Sequence, residues 1–124
     1  MMSRLQALQP DALVETMASS GITRHLAFKN EECVVLRSTS KPGVVSGWHT
    51  HGDYDVYGYV ASGTVRLESN QGGLDFIVVN PGGFLHVPAN TVHREINPSS
   101  NQVNEIILFL CGSGQMVYNV EGPG

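Results

Sequence analysis

Five of the 124 residues are histidines: His25, His49, His51, His86 and His93. His49 and His51 are separated only by Thr50, within a run of strand-like texture. A strand repeats every two residues, so both imidazoles leave the same face. Two ring nitrogens on one face can share a metal ion at ~2.0–2.1 Å. The same spacing suits a pair of surface or satisfied core histidines, so alone it decides nothing. His86 alternates with Leu85 and Val87 and reads as a packed or surface histidine, with a pocket acid or base as the alternative. His25 stands upstream in a polar setting and reads as structural or solvent-facing. Cys33 and Cys111 are 78 positions apart, each inside an apolar segment. That spacing is neither a zinc knuckle nor a redox motif, and buried thiols acting as small hydrophobes are expected. Phosphate loops, Gly-x-Ser-x-Gly nucleophiles and dinucleotide fingerprints are absent.

The elements that must carry these side chains are mostly short strands. Candidates run over 24–29, 31–39, 44–51, 56–61, 63–69, 74–79, 84–88, 91–96, 103–111 and 115–120, rich in Val, Ile, Leu, Tyr and Phe. Turn signals separate them, among them Lys41-Pro42-Gly43, Ser62-Gly63, Asn70-Gln71-Gly72-Gly73 and Asn80-Pro81-Gly82-Gly83. One short helix is expected over 10–19, with Pro10 in its first turn and Gly21 as its stop. Strands without intervening helices exclude a parallel α/β sheet and point to an antiparallel barrel or jelly roll.

Composition narrows the function classes. With 41% hydrophobic and 15% charged residues the chain can bury a core. Seven basic against eleven acidic residues, a net charge of −4, leave no basic face for nucleic acid. The longest solid apolar run, Ile106 to Cys111, is far too short to span a bilayer, and the first residues lack a signal-peptide core. A soluble, cytoplasmic protein of one domain, residues 1–124, with an N-terminal helix and arm over 1–22, is the expectation.

Two longer patterns add to this. The first reads Gly43-x5-His49-x-His51-x3-Asp55-x7-Gly63; the second, Gly82-x5-Pro88-x-Asn90-x2-His93-x3-Asn97. In order and spacing they resemble the two motifs of the cupin superfamily, which places motif 1 at 43–63 and motif 2 at 82–97. The resemblance implies an all-β, double-stranded β-helix (jelly-roll) barrel with a short N-terminal helix. It also implies metal-ligand roles for His49, His51 and His93. The family's fourth ligand is a glutamate, and here Asp55 stands three residues after His51. The seven-residue gap before Gly63 also occurs in pirin-like cupins, where the glutamate occupies the position of Asp55. Asp55 is therefore expected as a ligand, direct or through water, and a three-histidine site with Asp55 turned aside is the alternative. Asn90 replaces a motif glycine at a turn, and asparagine tolerates the left-handed conformation.

The resemblance implies one divalent transition-metal ion, iron first, with manganese, nickel, zinc or copper compatible. Glu95 shares the strand parity of His93 and is a candidate general base, with a surface glutamate as the alternative. Tyr57 and Tyr59 share the parity of the ligand face, unless a bulge flips it. The expected function is an Fe(II)-type dioxygenase acting on a small organic molecule. A metal-dependent isomerase, lyase or decarboxylase, or a non-catalytic ligand-binding or sensing module, are the rivals. A homodimer is expected by analogy with single-domain cupins, with neither nucleic acid nor membrane as partner.

Overall fold

The computed structural model describes residues 3–19, 21–70 and 74–123. Among the described residues, eleven strands follow one 3-10 turn at Pro10–Ala12: β1 (Val14–Ser19), β2 (Ile22–Lys29), β3 (Cys33–Ser40), β4 (His49–Thr50), β5 (Asp55–Ser62), β6 (Val65–Glu68), β7 (Phe76–Val79), β8 (Phe84–Val87), β9 (Arg94–Ile96), β10 (Asn104–Cys111) and β11 (Tyr118–Asn119). The jelly-roll architecture expected from the strand pattern is present. The turn expected at Asn70–Gly73 lies mostly outside the described residues.

The helix expected over 10–19 survives only as its first turn. From Val14 onward the chain is a strand, because it pairs with β2 in the register Val14↔Leu26 to Thr16↔Arg24. Sheet hydrogen bonds and the packing of Met17 against the core outweigh a weak helical propensity.

One sheet holds six antiparallel strands in the order β1-β2-β3-β10-β5-β8. The layer against it consists of β7-β6-β9 and the pair β11-β4. Backbone bridges at Val45↔Ile96 and His49↔His93 stitch those two groups together. Alternation in the long strands decides what lies between the layers. In β3, Val34, Leu36, Ser38 and Ser40 turn inward; in β5, Val56 and Val60 do so. The apolar ones among them form the core with Tyr54, Val65, Leu85, Val87, Ile106 and Leu110. Truncating such a residue to alanine costs about 2–5 kcal/mol.

Two motif positions have local physical reasons. Gly63 has φ of +69°, and a Cβ there would stand 2.7 Å from the Val103 carbonyl oxygen, so only glycine fits. Asn97 is buried; its amide donates to the carbonyls of Ser40 (3.1 Å) and Gln102 (2.8 Å), and its oxygen accepts from Ser99 N–H. It clasps the end of motif 2 to two other segments. Asn90 adopts φ of +59°, the left-handed turn expected of it.

The cysteines correct the reading as buried thiols. Cys33 and Cys111 face each other across β3 and β10, Cys33 half-buried and Cys111 exposed, both as free thiols. They end their strands on the outward face, opposite to Val34 and Leu110.

Candidate metal centre

His49 in β4 and His93, immediately before β9, face each other across a backbone bridge. Each backbone N–H donates to the other's carbonyl, at 2.9 and 3.0 Å, so the two side chains rise side by side on one face. His51, two residues on, rises from the same face. The ring centroids lie 4.4 Å apart for His49–His93, 5.0 Å for His49–His51 and 5.1 Å for His51–His93. One ligand atom from each of the three lies within 4.8 Å of the others.

Hydrogen bonds decide which nitrogen each ring offers. Nδ1 of His49 donates to Gly47 O (2.9 Å), Nδ1 of His51 to Met116 O (2.9 Å) and Nδ1 of His93 to Thr91 O (3.0 Å). A carbonyl oxygen can only accept, so Nδ1 carries the proton and Nε2 is left with its lone pair. Burial then keeps the rings neutral. It lowers the His49 pKa, with the Arg24 charge adding to the shift, and takes His51 down to about 4 and His93 to about 3, where neighbouring imidazoles and Arg24 both add to it. Three neutral imidazoles with oriented Nε2 lone pairs fit a divalent first-row transition ion.

The candidates that follow motif 1 go elsewhere. Asp55 is turned aside: its Oδ1 accepts from His86 Nε2 (3.0 Å) and from Ala89 N–H (3.3 Å) at a half-exposed position. Tyr57 and Tyr59 also face outward, Tyr57 stacked on His86 and Tyr59 against Phe84. The expectation that these three residues share the ligand face is corrected. The reason is Gly52 and Asp53: strand parity carried forward from His51 does not survive that turn. Val56, Gly58 and Val60 take the inward positions instead. His86 is a surface histidine, and His25 lies half-buried in β2.

Glu95 does turn inward. Its parity with His93 holds through β9, and it is 9% exposed. A chamber beside the three histidines is lined by Glu95, Arg24, Val56, Leu85, Ile106 and Leu108. Burial raises the Glu95 pKa, and the charge of Arg24 opposes that shift. Arg24 was not a candidate in the sequence reading. The signal was present: Ile22, Arg24 and Leu26 alternate, so the arginine shares its face with two core residues, but the expected strand began only at residue 24. Glu68 was missed as well. It is buried, and its carboxylate accepts from Arg66 Nε (2.7 Å) and Arg94 Nε (2.8 Å).

An antiparallel jelly roll with three convergent imidazoles in its interior defines a class of small metal-site barrels. The family described as the cupin domain matches residues 36–109, and the chain belongs to the cupin family. Solved structures agree on the fold. KdgF from Halomonas sp. is 19% identical with a TM-score of 0.70, covering 89% of this chain and 96% of that one. An RmlC-like cupin from Shewanella frigidimarina NCIMB 400 is 17% identical with a TM-score of 0.72, covering 91% and 96%. The polyketide cyclase RemF from Streptomyces resistomycificus is 14% identical with a TM-score of 0.75, covering 94% and 86%. No curated protein sequence matches significantly.

Proposed function

We propose that this cupin is a metal-dependent enzyme that moves a proton on a small organic molecule, as an isomerase, lyase, cyclase or decarboxylase does. One observation carries the reading: the buried Glu95 carboxyl lines the same chamber as the three oriented histidines. His49, His51 and His93 would hold the ion through Nε2. Held by neutral imidazoles alone, a divalent ion would keep its full +2 charge and would supply strong Lewis acidity toward a carbonyl oxygen. Glu95 takes or returns the proton, and the apolar walls of Val56, Leu85, Ile106 and Leu108 keep bulk water away. The polyketide cyclase fold of RemF is consistent with this chemistry. The reading is tested by loading the protein with Mn²⁺, Fe²⁺, Co²⁺ or Zn²⁺ and following solvent-deuterium incorporation into a panel of enolisable carbonyl compounds. Incorporation that needs both the metal and Glu95 supports it; none with any metal overturns it.

A dioxygenase with iron at the same site is the second reading, favoured by a donor set that leaves several positions for substrate and O₂. Oxygen uptake by the iron-loaded protein with the same panel separates the two. We further propose a cytoplasmic homodimer. The two unpaired thiols suit a reducing compartment. The outward face of the six-stranded sheet exposes Phe28, Tyr57, Tyr59, Phe84 and Phe109, an apolar surface of the kind that partners cover.

A further inference from the structure

The register of β3 with β10 ends on a pair of cysteines, Cys33↔Cys111, on the outward face of the six-stranded sheet. Cys33 is half-buried and Cys111 exposed. The backbone on both sides is fixed. Asn30 Oδ1 accepts from the N–H groups of Glu32 (2.8 Å) and Cys33 (2.9 Å), and the Cys33 carbonyl accepts from Asn30 N–H (3.0 Å). After Cys111, Gly112 N–H donates to Glu32 O, and a Cβ at Gly112 would stand 2.9 Å from the Asp53 carbonyl oxygen. Two anchored strand ends therefore present two thiols to each other before any ligand arrives. Burial raises the Cys33 pKa, and the charge of the Cys111 thiol and a hydrogen bond with it add to the shift.

The number of donors decides what such a pair can hold. Among the described residues, the His, Cys, Asp and Glu side chains that converge in a group of three are His49, His51 and His93 alone. Asp55, the register partner of Cys111 in β5, has turned its carboxylate to His86 and Ala89. The thiols are left as a two-donor site. Structural zinc calls for four ligands, and so do iron–sulfur clusters. Soft thiolates select monovalent copper, a closed-shell ion that two sulfurs in line can satisfy. Thiol signalling fits less well, because the thiolate is the attacking form and a raised pKa makes it scarce. Charge favours a cation as well. Glu31 and Glu32 just before Cys33, with Asp55 opposite Cys111, outnumber Lys29 at the end of β2. Such a field draws in cations and repels anionic small thiols.

We propose that Cys33 and Cys111 form a second metal site, which binds one Cu⁺ ion. Each thiol releases a proton to solvent and each sulfur gives a lone pair to the ion; no electron is transferred. The site lies on the sheet face opposite to the histidine chamber and depends on none of its residues.

The test uses reduced protein kept free of oxygen. One equivalent of Cu⁺ is offered in competition with bicinchoninate, whose coloured copper complex reports what the protein leaves behind. His51→Ala/His93→Ala protein takes the histidine centre out of the count. It should withdraw one Cu⁺ per chain and gain an ultraviolet thiolate-to-copper band. Both Cys33 and Cys111 should then resist iodoacetamide, as read by peptide mass spectrometry, whereas Zn²⁺ at the same level protects neither. Adding Cys33→Ser or Cys111→Ser should abolish the band and the uptake. Should the histidine variant fail to fold, the wild type decides through iodoacetamide protection, which reads the two thiols directly. Cys111→Ser, at an exposed strand end, should then leave Cys33 unprotected by Cu⁺. Copper uptake that survives both serine substitutions, equal protection by Zn²⁺, one ion per two chains, or no protection by Cu⁺ overturns the site.

Discussion

Each of the three histidines has one nitrogen tied to a backbone carbonyl and one turned to a common centre. His51→Ala or His93→Ala removes one of three donors, and elemental analysis of the purified variants should show the metal lost while the far-ultraviolet spectrum stays that of a β protein. Asp55→Ala should leave the metal content unchanged, because its carboxylate engages His86 and Ala89 outside the cluster. Its stability cost should stay within about 1 kcal/mol, as for other solvent-exposed polar pairs. Metal loss in Asp55→Ala would restore the aspartate to the ligand set. The same histidines govern the pH response of the metal-free protein. Folding lowers their pKa from 6.5 to about 4 for His51 and about 3 for His93. Between those values the unfolded chain binds more protons than the folded one, so stability is full above about pH 6.5 and falls as the pH drops toward 4. At pH 5 each contributes a loss on the order of 2 kcal/mol relative to pH 7, and a His51→Asn/His93→Asn double variant should flatten that slope. An identical urea midpoint for the metal-free wild type at both pH values would contradict the burial argument.

Register within the six-stranded sheet sets both the chamber and the thiol pair. Gly58 lies in β5 where a Cβ would stand 2.9 Å from Leu85 Cγ and 3.1 Å from Leu108 Cδ2. Both leucines line the chamber. Gly58→Ala should therefore crowd it and cost about 1–3 kcal/mol, read as a lowered denaturant midpoint. If Gly58→Ala is as stable as the wild type, the wall has slack that the close contacts do not suggest. Just past the end of β10, Gly112 N–H donates to Glu32 O, which makes the next pair into the sheet, Cys111 and Cys33, a non-hydrogen-bonded one. Side chains in such pairs approach closely, with Cα atoms about 4.5 Å apart, inside the range a disulfide accepts. Exchange with an oxidised dithiol reagent should join them and reduce it by two thiols, so that titratable thiol falls to none in the unfolded product. Two thiols still titrating after prolonged exchange would show that the strand ends hold them apart.

For the molecule as a whole, the two faces of the six-stranded sheet serve different ends. The inner face forms the core and half the chamber; the outer face carries aromatic residues across β2, β10, β5 and β8. Phe84 at 77% exposed is the most open of them. If that face pairs in a dimer, a Phe84→Glu/Phe109→Glu variant should sediment as a monomer while still binding metal, since neither residue touches the chamber. A wild-type chain that is monomeric at high micromolar concentration would remove the dimer. No helix among the described residues is long and apolar enough to cross a membrane.

How far the sequence speaks depends on the range over which a residue's position is set. Strand alternation and turn residues are local, so the jelly roll, the glycine at 63, the left-handed Asn90 and the pairing of His49 with His51 were all legible from neighbours in the chain. The place of Glu95 followed from His93 because β9 runs on from it without a break. Where a turn intervened, the reading failed: parity counted from His51 through Gly52 and Asp53 sent Asp55, Tyr57 and Tyr59 inward, and the backbone sent them out. Val14 to Ser19 became a strand only because β2 was there to pair with it. Tertiary structure alone decided that Arg24, 69 residues before His93 in the chain, shares their chamber. Such meetings depend on which strands become neighbours and at what register, and a single strand's sequence carries no record of the strand it will lie against.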